Sequence, residues 1–120
     1  MTLSVTVHRR DPETGDLVDE PDHEPGATLA GFESWRHVVY GSPAIKDRGA
    51  RFLPHLESND LFIEGDDLAA FRMELSRLLV EVEEIAKETD TDVETLRFRL
   101  ANLLKAADRA EAIGGLVWIS

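Results

Sequence analysis

The 120 residues predict an α+β domain, a small mixed sheet packed against a long antiparallel helical hairpin and one further helix. Three observations carry that prediction. The N-terminal stretch TLSVTVHRR alternates apolar and polar residues with period two. Residues 66–113 repeat apolar residues with a heptad period, interrupted once near residue 90. The chain closes on GGLVWIS, a glycine pair followed by a short apolar run. A chain of this length makes a single domain, residues 1–120, able to bury a core without staples.

The elements follow in order. In residues 2–9, Leu3, Val5 and Val7 face one way and Thr2, Ser4, Thr6 and His8 the other, which predicts a strand with one wet face. DPETG turns the chain, and residues 16–19 return as a charged edge strand, completing a β-hairpin over 2–19. Pro21 and Pro25 keep PDHEPG a loop. A helical segment is expected over 28–49. Thr28 caps a helix over 28–40 with Leu29, Phe32, Trp35, Val38 and Val39 at helical spacing, and Gly41 ends it. Ser42 and Pro43 then open a second, short helix that ends near Gly49. RFLPHL, interrupted by Pro54, is a connector held on the core, and DLFIEG supplies a strand over 60–64.

The hairpin 66–113 is read from its seam. With Leu68 at heptad position a, Leu68, Phe71, Leu75, Leu78, Val82 and Ile85 fill a and d. After the turn, Val93, Leu96, Leu100, Leu103, Ala107 and Ala110 do the same. Asp67, Glu74, Glu81 and Glu88 recur at position g, which predicts an acid row on the open side, with Leu79 and Leu104 at e packing on the sheet. Folding back near residue 90 would pair Glu81 with Arg99 and Arg72 with Glu111. The turn itself, ETDTDVE, has the Asp-x-Asp-x-Glu spacing that could hold a hard cation such as calcium. Yet the sixth and twelfth positions counted from Asp90 are Thr95 and Ala101, where glycine and a carboxylate are needed. Thr91 and Glu94 fit a capping box instead, so Thr91→Ala should cost about 1 kcal/mol. The closing residues 115–119 are expected to form a strand covered on both faces.

Composition narrows the function. Net charge is −11, and residues 11–24 hold seven acids without Lys or Arg, which excludes phosphate-driven nucleic-acid binding. With no cysteine there is no disulfide, thiolate site or cysteine nucleophile. No apolar run has the length of a membrane span, and MTLSVTVHRR lacks a signal-peptide pattern, so a soluble cytoplasmic protein is expected. His8, His23, His37 and His55 are scattered, and Asp22-His23-Glu24 is too local to converge on one ion. No nucleophile elbow, phosphate loop or dinucleotide fingerprint occurs, so no catalytic, cofactor or metal residue is assigned. In WRHVVYGSPAIKDRGARF, Trp35, Tyr40 and Phe52 accompany Arg36, Lys46, Arg48 and Arg51. They are interface anchors or, on the simpler reading, core aromatics beside locally paired cations.

Residues 30–71, GFESWRHVVYGSPAIKDRGARFLPHLESNDLFIEGDDLAAF, resemble a group of small uncharacterised bacterial proteins. That group shares a Trp-Arg…Tyr/Trp-Gly-Ser helix end and a GARFLP segment, and is similar to the acidic immunity proteins carried beside polymorphic toxins. The resemblance, with the charge, implies a non-enzymatic inhibitor that occludes a basic protein partner such as a toxin domain. The acids best placed for it are Asp67, Glu74, Glu81 and Glu88 in the g row and Asp16, Asp19, Glu20, Asp22 and Glu24 in the loop. Two alternatives stay open. One is a self-associating structural or regulatory subunit, a homodimer through Met73, Val80 and Phe98 at position f. The other is a small enzyme with a pocket of convergent carboxylates or histidines.

Overall fold

A computed structural model describes residues 2–21 and 24–120. The architecture is α+β, with about half the chain helical and a five-stranded sheet. Strand β1 (Thr2–Arg10) is its centre. On one side lies β5 (Leu116–Ile119), with β4 (Leu61–Glu64) beyond it. On the other, β2 (Leu17–Asp19) pairs with the C-terminal half of β1 and β3 (Leu29–Phe32) with the N-terminal half. Every pairing is antiparallel, so the sheet is not mixed as expected. β5 reaches its central place through a close approach: a β-carbon at Gly115 would collide with the carbonyl oxygen of His8.

The helix expected over 28–40 does not form. Leu29–Phe32 lies extended against Thr2–Ser4, across a bulge between Leu3 and Ser4. Gly31 has φ +137, outside the helical region, and a β-carbon there would stand 2.6 Å from the Trp35 ring. The apolar spacing was compatible with either structure. What decides is the free edge of β1, whose N–H and C=O groups need partners. Val5 N–H, for example, donates to the Thr28 carbonyl at 2.9 Å. The helical segment 28–49 thus resolves into β3, one π-helical turn (Arg36–Tyr40) and the short α1 (Pro43–Lys46). A 3₁₀ turn, Leu53–Glu57, follows where the connector was expected, with Leu53 and Leu56 buried.

The hairpin is present with one modification. Its first arm is two helices, α2 (Asp67–Val80) and α3 (Val82–Thr89), separated at Glu81. The second arm is α4 (Val93–Ile113). The seam holds: Leu68, Phe71, Leu75, Leu78, Val82 and Ile85 are at most 3% exposed, as are Leu96, Leu100, Leu103, Ala107 and Ala110. Val93 is half-buried. α4 packs along α2 and α3 and also lies on β1, β3 and β5, while α3 touches α1 as well. One layer of helices therefore covers one face of the sheet.

The turn between the arms differs by one residue from the expected cap. Asp92 is the N-cap, accepting hydrogen bonds from the Thr95 N–H at 2.9 Å and the Thr95 hydroxyl at 2.8 Å. Those bonds hold the Asp92 carboxyl below its ordinary value. Thr91 instead shares a 2.9 Å hydroxyl contact with Thr89. Asp90 closes α3 in the left-handed region at φ 53, which an Asp tolerates better than most residues. Asp92 thus takes the capping role expected of Thr91, whose hydroxyl bonds to Thr89 instead.

Candidate functional site

Strand alternation builds the most distinctive surface. Val5, Val7, Leu61, Ile63, Val117 and Ile119 point into the helical layer and are buried. Their neighbours point the other way, and Phe62 there is 56% exposed. Cross-strand register places Thr6, Trp118 and Phe62 in one row, and His8, Leu116 and Glu64 in the next. Trp118 and Phe62 stack with ring centroids 5.3 Å apart at an interplanar angle of 11°. The His8 ring flanks Trp118 at 5.6 Å, and its Nε2 lies 3.0 Å from the Thr6 hydroxyl.

Charge frames this aromatic row. The Arg10 guanidinium reaches across β5 to Glu64, with nitrogen–oxygen distances of 3.1 and 3.3 Å, and Glu64 holds it above its ordinary pKa. Asp19 stands opposite His8 on β2. Beyond it the β1–β2 turn is tightened by the Asp11 carboxylate, which accepts the Glu13 N–H at 2.8 Å. Glu13 and Asp16 are exposed on that turn, while Glu20 pairs with Arg9 at 2.5 Å on the helical side of the sheet. Carboxylates outnumber cations at this corner. A half-exposed aromatic platform beside carboxylates accepts lysine or arginine side chains well, since rings attract the cation and carboxylates neutralise it.

The residues named from sequence fall in unequal places. Asp16 and Asp19 are on the exposed corner just described; Glu20 is half-buried on the helical side, where Arg109 donates to its carbonyl, and Glu24 is exposed within 3.9 Å of Lys105. Asp22 lies outside the described residues, as does His23. The g row is not an open acid row. Asp67 is exposed, but Glu74 is only 7% exposed and faces the chain at 51–53. There its carboxylate accepts the N–H groups of Arg51, Phe52 and Leu53, at 2.5, 3.0 and 3.0 Å. Glu81 and Glu88 both pair with Arg48, at 3.3 and 2.8 Å, and Arg48 holds the Glu88 carboxyl below its ordinary value. Glu81 therefore meets Arg48 where Arg99 was expected. Arg99 instead lies over the rings of Phe32 and Phe98. Arg72 does meet Glu111, at 3.0 Å, and Asp108 as well. On the other flank, Leu79 and Leu104 are half-buried against the core, and Leu104 also lines an open groove with Ala69, Met73 and Ser76.

Of the apolar f positions, Met73 is 67% exposed, Val80 86% and Phe98 46%. Trp35, Tyr40 and Phe52 are core residues; of their cationic neighbours, Arg36 pairs with Glu33 and Asp60, Lys46 with Glu57 and Arg48 with Glu81 and Glu88, whereas Arg51 makes no ion pair among the described residues. Among the described residues, no group of three or more His, Asp or Glu is placed to hold a metal ion. No helix among them is long and apolar enough to cross a membrane.

Phe62, Trp118 and His8 were not singled out by the sequence. The signal existed in the alternation of DLFIEG, which sends Phe62 opposite to Leu61 and Ile63. The final run hid its partner, because Leu-Val-Trp-Ile reads as apolar on both sides. Fold and surface together define a class, a one-layer α/antiparallel-β domain with an open aromatic sheet face. Beyond that class no particular kinship is found: the chain matches no family model, no curated protein and no solved structure.

Proposed function

We propose that this protein is a non-enzymatic binding protein of the immunity or inhibitor kind, which docks a basic protein partner on the open face of its sheet. The observation that carries the reading is the Phe62–Trp118 stack, 5.3 Å between centroids, set beside an acidic corner. Aromatic anchors ringed by charge are the usual core of a protein interface. The net charge of −11 raises the rate of encounter with a cationic surface, and the aromatic row sets the lifetime. Mechanism is occlusion: the partner's active or binding surface is covered by the sheet. The g row has a smaller part than its spacing suggested, since Glu74, Glu81 and Glu88 are engaged within the chain.

The test is capture from a lysate of the source cell by immobilised wild-type protein and by Phe62→Ala. Support requires a cationic protein held by the wild type, released by added salt, and retained at least about tenfold more weakly by the variant, the usual loss for an interface anchor. Capture that ignores Phe62, or none at low and moderate salt alike, would end the proposal. A second reading, self-association, is favoured by the exposure of Met73 and Val80 along one side of α2. Sedimentation of a dimer that Phe98→Asp leaves intact and Val80→Asp dissolves would place that contact on α2; a monomer at all concentrations would remove it.

A further inference from the structure

A second feature shares no residue with the sheet face. α2 and the chain from Arg48 to Phe52 enclose a cleft of about 160 Å³. Phe52, Ala70 and Leu78 supply apolar lining, and Met73 stands exposed among the residues around it. An apolar space of about 150 Å³ is enough to hold a benzene ring.

The charges around this cleft do not cancel. Glu74 has its carboxylate taken up by the N–H groups of residues 51–53, so its charge is already solvated by the backbone. Arg48 is balanced by Glu81 and Glu88. Arg51 and Arg77 are exposed and make no ion pair among the described residues. The Arg51 guanidinium lies over the Phe52 ring, 5.0 Å from its centroid. Arg77 extends toward Gly49, its Nη1 being 3.8 Å from where a β-carbon at Gly49 would sit. Two free guanidiniums at an apolar recess, in a chain of net charge −11, are against the trend of the whole surface.

We propose that this cleft binds a small apolar carboxylic acid in its ionised form. The ring or branched alkyl body would rest on Phe52, Ala70 and Leu78, and the carboxylate would face Arg77 and Arg51. An inorganic anion would gain the charge but leave the recess unfilled. A neutral ring would fill the recess and forgo the charge-assisted hydrogen bonds, which are the stronger kind.

Benzoate is the probe, titrated into isotope-labelled protein and followed through the backbone amides of residues 49–52 and 70–78. Benzamide and inorganic phosphate are the controls. The expected result is a saturable shift confined to those segments, with benzoate bound about tenfold or more tighter than either control. Arg77→Gln or Arg51→Gln should weaken benzoate by about the same factor while leaving benzamide unchanged. Both side chains are exposed, so these variants test binding without threatening the fold. Ala70→Phe, which fills the recess, should abolish binding of both ring compounds. The proposal is overturned by equal binding of benzoate and benzamide, by shifts centred elsewhere, by no response, or by benzoate affinity unchanged in both arginine variants.

Discussion

Two acidic regions of this protein look alike in the sequence and behave oppositely in the fold. Along α2 and α3, Glu74, Glu81 and Glu88 stand at heptad intervals and are held by the segment from Arg48 to Leu53. In the β1–β2 hairpin, Glu13, Asp16 and Asp19 stay in water. The first group works inside the molecule, tying the irregular segment to the helices. The second leaves its charge available to another molecule. A carboxylate's spacing tells which side of a helix it occupies, but not whether another part of the chain will come to meet it.

The sharpest way to break this comparison is Glu74→Ala. It leaves three backbone N–H groups near 51–53 without their acceptor, and it should cost about 3 kcal/mol or more in urea unfolding. Glu74→Gln, which keeps an acceptor oxygen, should cost visibly less. A loss under about 0.5 kcal/mol for Glu74→Ala would place its carboxylate among the idle surface acids.

Arg48→Ala comes next. It removes a 2.7 Å bond to the Ala44 carbonyl together with the pairs to Glu81 and Glu88, and should cost about 1 kcal/mol. This variant also carries a pH signature. Glu88 is held below its ordinary pKa chiefly by its hydrogen bond to Arg48, so the unfolded state binds the proton first as pH falls. The contribution is complete above the ordinary carboxylate value and is lost as pH drops through the lowered one. Melts across the acid range should therefore fall less steeply in Arg48→Ala than in wild type; equal slopes would remove Glu88 from the account.

A smaller effect sharpens the turn. Asp92→Ala should lower the melting temperature by a few degrees and flatten the same acid limb, because the lowered pKa of Asp92 comes from capping Thr95. Thr91→Ala should change stability by less than Asp92→Ala. The reverse order would restore the cap to Thr91. The smallest effect belongs to the hairpin. Asp16→Asn with Asp19→Asn should alter stability by under about 0.5 kcal/mol, yet slow association with a cationic partner at low salt. An unchanged on-rate would make these acids solubilising only.

Much of the fold was legible because its periods are long or unmistakable. The seam from Leu68 to Ala110 repeats often enough that no other structure buries it. The alternation from Thr2 to His8 does the same for β1. Residues 29–32 were misread for the opposite reason. Over so few residues, Leu29 and Phe32 fit a helix face as well as a strand, and Gly31 alone hinted otherwise. The aromatic sheet face was half visible: Phe62 shows in its own strand, but Trp118 becomes its neighbour only through the pairing of β4 with β5.

Local patterns determined on their own the α+β class, the hairpin and its apolar seam, the exposed acidic loop and the short strand at the end. These depend on residues near one another in the chain, where helical and strand geometry bring side chains together at fixed intervals. Tertiary structure alone decided that 29–32 would complete the edge of β1. It also decided that Glu74 would turn inward to the backbone of 51–53, and that Phe62 would lie on Trp118. Each of those outcomes is a contact between distant segments, set by which donors, acceptors and rings remain unmatched once the local elements have formed.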